Sequence, residues 1–396
     1  MVICKSFVKE MEIKNLTKAA RRIKKAIKEK EHIILYGDGD LDGICSVIIL
    51  QEAIKSLGGI ITAFYFPDRE KEGYGITRKA LARLKHHAPA LLICFDLGIS
   101  NFEEIPIAKG LGFEVIVIDH HKVLGKLPDA DIVVDPKQPG DEYPFKEFAA
   151  CGLAFRLGQE LLGRDLSDSL RKNMVELAAL GTIADMMARE ADNVAIIQEG
   201  LDALPYSWRP GIRAFLESDL FGEPWPLQEK VQQMISILNV RDTKKGLSGA
   251  FRFLTCPSLL KVKRMLKTFT EKSKIRKEQI KKIAEELRTR IFHKNADSAV
   301  FEGGESFDYE LLGAGASIIS RESGKPVFLF KKTRKESLGS VRAPAGLDTV
   351  DAMQHCAKFL HTYGGHPQAS GFRTSNENLD QLKTCLMQYF EKKSNS

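Results

Sequence analysis

Four apolar runs in this chain end in acid, and that pattern limits the folds open to it. His32-Ile33-Ile34-Leu35-Tyr36-Gly37 leads into Asp38-Gly39-Asp40-Leu41-Asp42-Gly43. Ala90 to Phe95 leads into Asp96, Val115-Ile116-Val117-Ile118 into Asp119-His120-His121, and Leu177 to Ala184 into Asp185. Short runs rich in β-branched residues suit strands buried on both faces, as in parallel sheets. In open α/β sheets the ligand crevice lies outside the carboxyl ends of the strands. We therefore expect four clusters at strand ends, bringing six carboxylates and two imidazoles to one edge. An Asp-Gly-Asp alone is usually a solvated turn, but four such clusters favour a metal centre. Buried carboxylates are costly unless paired or metal-bound. Oxygen-rich ligands with an imidazole suit Mn²⁺ or Mg²⁺ better than a thiolate zinc site, and this many acids suits two ions.

The spacing predicts strands near 33–36, 60–66, 91–95, 115–118 and 132–134, with helices between them, including Ile44 to Lys55. That alternation predicts an α/β fold with a doubly wound parallel sheet. Residues 145–203 look helical, and 204–257 continue as a less regular helical region rich in Pro and Trp. From Ser258 to Ala296 there are thirteen Lys/Arg against four Glu and no glycine, while the whole chain carries a net charge of only +7. Ile280, Ile283, Leu287 and Ile291 recur there at helical spacing, so a long basic amphipathic helix is expected. Residues 297–396 then begin a smaller α/β domain. Strands are expected at Tyr309–Leu312 and Val327–Lys331, a helix over Val350–Thr362, and a glycine-dense turn from Tyr363 to Phe372. The expected domains are thus 1–257, the connecting helix 258–296, and 297–396.

The chain is 43% apolar and 28% charged, an ordinary soluble composition. Its apolar runs are too short to span a bilayer, and no secretory signal is expected. The seven scattered cysteines lack any C-x-x-C and suit reduced core thiols, without a disulfide framework. A cytoplasmic protein is expected, with no membrane partner.

The four acid clusters resemble the four phosphoesterase motifs of the DHH superfamily. Gly364-Gly365-His366-Pro367-Gln368-Ala369-Ser370-Gly371 resembles the signature of its associated DHHA1 domain. Manganese pyrophosphatases and small oligonucleotide hydrolases of the superfamily usually carry a histidine four residues before the first metal aspartate. Here that position, counted back from Asp40, is Tyr36, and Asp38 appears instead, as in RecJ. Cys151-Gly152-Leu153-Ala154-Phe155-Arg156-Leu157, Gly313-Ala314-Gly315-Ala316-Ser317-Ile318-Ile319, Gly324-Lys325-Pro326 and Gly339-Ser340-Val341-Arg342 are also similar to RecJ-like exonucleases. Asn239-Val240-Arg241 departs from their usual Asn-Ala-Ala-Gly-Arg pattern, and, short beside bacterial RecJ, this sequence is expected to lack its OB-type domain. A compact RecJ-like protein of the archaeal type is the closer resemblance.

That resemblance implies a metal-dependent exonuclease on single-stranded DNA or RNA, acting in replication or repair, with a helicase or replisome component as a possible protein partner. It implies that Asp38 and Asp40 hold one Mn²⁺ (or Mg²⁺), that Asp42, His120 and Asp185 hold a second, and that Asp96 bridges them. His121 would contact the phosphate, with Asp119 orienting a histidine behind it. Ser340, Arg342, Gly364, Gly365, His366 and Arg241 would bind substrate. The alternatives are a phosphodiesterase for short oligoribonucleotides or cyclic dinucleotides, and an inactive accessory subunit.

Overall fold

The computed structural model describes residues 12–69, 71–218, 225–239, 242–244, 246–291 and 297–394. They form two compact units, Met1–Thr270 and Glu271–Ser396. The first begins with α1 (Leu16–Glu29), β1 (His32–Gly37), α2 (Leu41–Ser56), β2 (Ala63–Tyr65) and α3 (Arg78–Leu84). It continues with β3 (Ala90–Phe95), α4 (Glu104–Gly110), β4 (Phe113–Ile118) and β5 (Ile132–Val134). All five strands are parallel, in the order β2-β1-β3-β4-β5. Crossovers from β1 run both ways, so helices cover both faces and the order reverses between β1 and β3. At such a reversal the loops splay apart and leave a crevice.

The two faces bury different sets of side chains. Leu35, Ile93 and Ile116 pack with α1 and α2, and with α5 (Ala150–Leu162) and α6 (Asp168–Ala184). Ile34, Leu92 and Val115 pack with α3 and α4 on the other face. Helix α2 lies between the sheet and the outer helices α5 and α6. It is buried almost all round from Leu41 to Ile54, as expected of a helix that is apolar on every face. The helical region continues with α7 (Ala191–Ala203), α8 (Pro210–Leu216), α9 (Leu227–Leu238) and α10 (Gly249–Leu254). The basic segment is a 33-residue helix, α11 (Leu259–Ile291). No helix among the described residues is long and apolar enough to cross a membrane.

The second unit holds β6 (Val300–Gly304), α12 (Tyr309–Ser323), β7 (Val327–Lys332), β8 (Glu336–Arg342), α13 (Thr349–His355), β9 (Thr362–His366), β10 (Ala369–Ser375) and α14 (Leu379–Ser394). Its sheet has the order β6-β7-β8-β10-β9, with only β6 and β7 parallel.

Several expectations fail in informative ways. Tyr309–Leu312 is not a strand but the first turn of α12. Asp308 caps that helix through Glu310 N, and Leu311, Leu312, Gly315, Ala316 and Ile319 recur on its buried face. The longer helical period outweighs the short apolar run. The helix expected over Val350–Thr362 ends at His355, because the chain from Thr362 pairs with β10. The glycine-dense segment is therefore a hairpin, with Gly364, Gly365 and His366 on strand β9 rather than in a turn. The run before Asp185 is the last part of helix α6, in keeping with the helical reading of 145–203, so that acid caps a helix and does not end a strand as the other three clusters do. Finally, Cys356 and Cys385 form a disulfide with Cα atoms 6.0 Å apart, which overturns the reading of all cysteines as free thiols. Cys45, Cys94 and Cys151 are buried thiols as expected.

Candidate metal centre

Parallel pairing places the acids in one row. Gly37, Phe95, Ile118 and Val134 are register partners across β1, β3, β4 and β5. The next residue on each strand is therefore Asp38, Asp96, Asp119 and Asp135. The ladder extends one step past the strands: Asp38 N donates to Phe95 O at 3.1 Å, Asp96 N to Ile118 O at 3.0 Å, and Asp119 N to Val134 O at 3.0 Å. Adjacent strands lie about 4.8 Å apart, so this row alone concentrates four buried carboxyls at the switch point. Asp96 adopts φ 61°, a left-handed conformation strained for a non-glycine residue. Asp135 was not singled out from the sequence, although Ile132-Val133-Val134-Asp135 repeats the signal of a strand ending in acid.

Two helices complete the cluster. Asp40 is the N-cap of α2, and Asp42 lies in that helix's first turn. A side chain at Gly43 would collide with the Asp38 backbone, within 2.6 Å of its N, so glycine is what lets Asp38 and Asp42 converge. Asp42 accepts from Ala150 N at 2.8 Å and Cys151 N at 2.7 Å, the first amides of α5. The Cys151-Gly152 segment thus serves the site through its helix N-terminus, a natural place for negative charge. Asp185 arrives at the end of α6. Gly181, one turn earlier, permits the approach: a Cβ there would lie 2.5 Å from Cys151 Sγ and 3.2 Å from Asp42 Oδ1.

His120 is fully buried among these acids. Its Nε2 lies 3.1 Å from Asp96 Oδ1, and 3.6 Å from both Asp42 Oδ2 and Asp185 Oδ2. The ligand atoms of Asp42, His120 and Asp185 lie within 4.8 Å of one another, and so do those of Asp38, Asp40 and Asp96. Asp119 faces the histidine turn. Its Oδ1 accepts from His120 N at 2.8 Å and His121 N at 3.2 Å, and lies 2.7 Å from His121 Nδ1; its Oδ2 accepts from Ile99 N. Tyr74 donates through its hydroxyl to Asp96 O at 3.1 Å, and the same hydroxyl lies 3.4 Å from His121 Nδ1.

The electrostatics demand cations. Burial pushes Asp96 well above the ordinary carboxylate range, and the charges of Asp40, Asp42, Asp185 and Asp119 push it further. Asp185 is raised by burial and then by Asp42 and Asp40, against Arg69 and Lys137. Burial lifts Asp42 to about 6 against its hydrogen bonds from Cys151 and Ala150. Asp135 is lifted to about 8, by burial and then by Asp119. Asp119 is the exception: burial opposes its ionisation, but His121 and the amides of Ile99 and His120 hold it below the usual range. One cation is built in. Arg69 donates from Nε to Asp38 Oδ1 and from Nη2 to Asp40 Oδ2, both at 2.9 Å. No local pattern around Arg69 marked it for this place. A site that suppresses its own ionisation, with oxygen donors and one central imidazole, fits hard divalent ions.

The substrate residues expected in the second unit, Gly365 excepted, also meet on one face. Arg342, Ala369 and His366 form one cross-strand row over β8, β10 and β9, and Ser340, Gly371 and Gly364 form the next. Paired residues share a face, so Ser340, Arg342, Gly364 and His366 lie on the same side, while Gly365 faces the other. A Cβ on Gly364 would meet open space, leaving a glycine floor beside one guanidinium and one imidazole. Arg342 Nη1 donates to Val341 O at 2.7 Å and to Ser340 Oγ at 3.3 Å. Arg241 lies outside the described residues.

Residues 32–182 match the DHH family, N-terminal domain. The chain is 31% identical over 385 residues to the single-stranded-DNA-specific exonuclease RecJ of Bacillus subtilis (strain 168), an overlap of 96% of this chain and 48% of that protein. The chain is RecJ-like and carries a DHH-family domain. To RecJ of Thermus thermophilus it is 29% identical over 386 residues, covering 96% of this chain and 55% of that one. It spans about half the length of these two curated relatives. Among solved structures, an exonuclease RecJ bound to manganese matches with a TM-score of 0.74 and 25% identity, covering 96% of this chain and 95% of that one. The Mn²⁺ complex of Thermus thermophilus RecJ matches in fold with a TM-score of 0.81 at 24% identity, covering 97% of this RecJ-like chain and 55% of that one.

Proposed function

We propose that this chain is a metal-dependent exonuclease that hydrolyses single-stranded nucleic acid to mononucleotides. The observation that carries the reading is the pair of ligand sets around His120 and Asp38, in which burial and neighbouring acids hold Asp42, Asp96 and Asp185 against ionisation. The resemblance to RecJ, including a manganese-bound structure, supports the choice of Mn²⁺ or Mg²⁺. Asp38 and Asp40 would hold one ion, and Asp42, His120 and Asp185 the other, with Asp96 placed among both sets. Two such ions supply a water of lowered pKa and neutralise charge on the phosphate oxygens during in-line displacement.

The chain's own residues do the positioning. Asp119 fixes the His120-His121 turn through three acceptor contacts, as partners behind metal ligands commonly do. His121, so oriented, donates to a phosphate oxygen. In the carboxy-terminal unit, which we assign as DHHA1, Arg342 and Ser340 grip a further phosphate. A guanidinium binds phosphate in a bidentate way, and the open glycine floor with His366 gives the backbone room to approach. The basic helix α11 attracts the strand through its phosphates, and replication or repair proteins are the partners this reading implies. The cytoplasm is the compartment it implies.

The test digests single-stranded DNA and RNA, labelled separately at each end, with Mn²⁺ or Mg²⁺. Mononucleotides should be released progressively from one end, and Asp40→Ala or His120→Ala should abolish release. Near-wild-type turnover of either variant at saturating Mn²⁺ refutes the ligand assignment. Cleavage confined to oligomers of a few nucleotides refutes the long-strand substrate.

A further inference from the structure

The helical layer behind the metal centre buries a second charged cluster. Arg209, just before α8, is only 1% exposed. Its Nε donates to Glu176 Oε1 on α6 at 2.8 Å, and its Nη2 lies 2.6 Å from Glu52 Oε1 on α2. Nη2 also donates to Asn173 O at 3.1 Å, while Ser207 Oγ donates to Glu176 Oε1 at 3.0 Å. Burial lifts Glu176 to about 7 against the attraction of Arg209, and raises Glu52 as well.

The helices tied here are the two that deliver Asp42 and Asp185. Helix α2 leaves the centre at Asp42, and α6 packs along it and arrives at Asp185. Glu52 lies ten residues beyond Asp42 and Glu176 nine before Asp185, about 15 Å and 14 Å along the axes. One helix pair thus presents two carboxylates at each end. Those at one end converge on Arg209, and those at the other on His120.

We propose that Arg209 is a positioning residue for the subsite formed by Asp42, His120 and Asp185, fixing the axial register of α2 against α6. A buried ion cluster is a poor source of stability, since apolar residues often replace it without loss. What a planar guanidinium supplies is geometry, because it holds both carboxylates in fixed directions. Geometry matters at the far end: sliding one helix by a single residue moves Asp185 by about 1.5 Å against Asp42, while metal–ligand distances tolerate about 0.2 Å.

This inference rests on the metal reading above, and the test separates the two. Mn²⁺ binding to the full chain is measured by calorimetry, for the native sequence and for Arg209→Met. An Asp40→Ala background isolates the His120 subsite. Arg209→Met should weaken that subsite about tenfold, the lower end for partners that orient metal ligands. In the otherwise native chain it should leave the Asp38 subsite unchanged, and saturating Mn²⁺ should recover turnover. If Arg209→Met does not fold, Arg209→Met with Glu52→Gln and Glu176→Gln removes the stranded charges and should show the same shift. Val231→Ala, a core truncation on α9, controls for lost stability alone and should leave Mn²⁺ binding unchanged. An unshifted isotherm in a folded Arg209 variant overturns the inference, as does an equal shift in Val231→Ala. A native chain that binds no Mn²⁺ overturns the metal reading and this inference with it.

Discussion

Replacing Gly181 by alanine sets two opposing effects against each other. Alanine favours a helix interior over glycine by about 1 kcal/mol, so propensity alone predicts a more stable protein. Packing predicts the reverse. The new Cβ would lie 2.5 Å from Cys151 Sγ, and 3.2 Å from Cys151 Cβ and Asp42 Oδ1. The thiol has nowhere to turn, since it is fully buried, donates to Ala178 O at 3.1 Å and sits 3.6 Å from Thr182 Oγ1. Relieving the contact to an ordinary separation near ~3.5 Å requires α6 and α5 to part by about 1 Å. Overpacking of this kind costs about 1–3 kcal/mol, so the net loss should be about 1 kcal/mol. The displacement falls on Asp42 and Asp185, where it exceeds the roughly 0.2 Å that metal–ligand distances tolerate. Urea unfolding in EDTA reads the stability, and Mn²⁺ titration reads the site. Gly181→Ala should weaken Mn²⁺ binding at least tenfold, taking about tenfold as the lower bound for disturbed metal ligation. Cys151→Ala in the same chain should recover most of both losses, a coupling expected of contacting residues. A more stable Gly181→Ala chain with unchanged Mn²⁺ affinity would refute the reasoning, as would strict additivity of the two substitutions.

Three further outcomes are expected. Because the folded state raises Asp42 from 3.8 to about 6, it retains a proton that the unfolded chain releases. In EDTA stability should then fall as pH rises through about 4 to 6, by about 3 kcal/mol from Asp42 alone. Asp96 and Asp185 shift in the same direction, so the gain in Tm from Mn²⁺ should grow with pH across this window, and a gain independent of pH contradicts the assignment. Arg69→Met should destabilise the protein in EDTA by about 2 kcal/mol, less than the ~3–5 kcal/mol of a fully buried pair because Arg69 is 24% exposed. Saturating Mn²⁺ should shrink that loss, and equal losses with and without metal would rule out Arg69 as the counter-ion of Asp38 and Asp40. Asp308→Ala removes the cap of α12 and should cost about 1 kcal/mol in urea unfolding; no change would mean the cap is replaced by solvent.

The parallel sheet and most of the candidate metal ligands were legible in the sequence because both are local signals. A β-branched run of five or six residues declares a strand, and the acid that follows it shares its place at the sheet's carboxyl edge. The second unit was harder to read. Tyr309–Leu312 carries too few residues to tell strand from helix, and the answer came from Asp308 and from the buried face running on to Ile319. Gly364, Gly365 and His366 looked like a turn because glycine is the turn's residue, yet in β9 they pair with β10 and leave an open floor.

What the sequence determined by itself is therefore the kind of chemistry: acids and imidazoles at the ends of buried elements, in a doubly wound α/β chain. What only the tertiary structure decided is which groups from distant segments share the site. Strand register brought Asp135 level with Asp38, Asp96 and Asp119. A loop laid Arg69 across Asp38 and Asp40, and the first amides of α5 met Asp42. Arg209 joined α2 to α6 at the end remote from the centre. The disulfide between Cys356 and Cys385 likewise depended on helices closing over a sheet. The physical reason is common to all of these. Periodicity and capping act over a few residues along the chain, whereas a site is made by groups that are neighbours only after the sheet has set its register and the helices have packed against it.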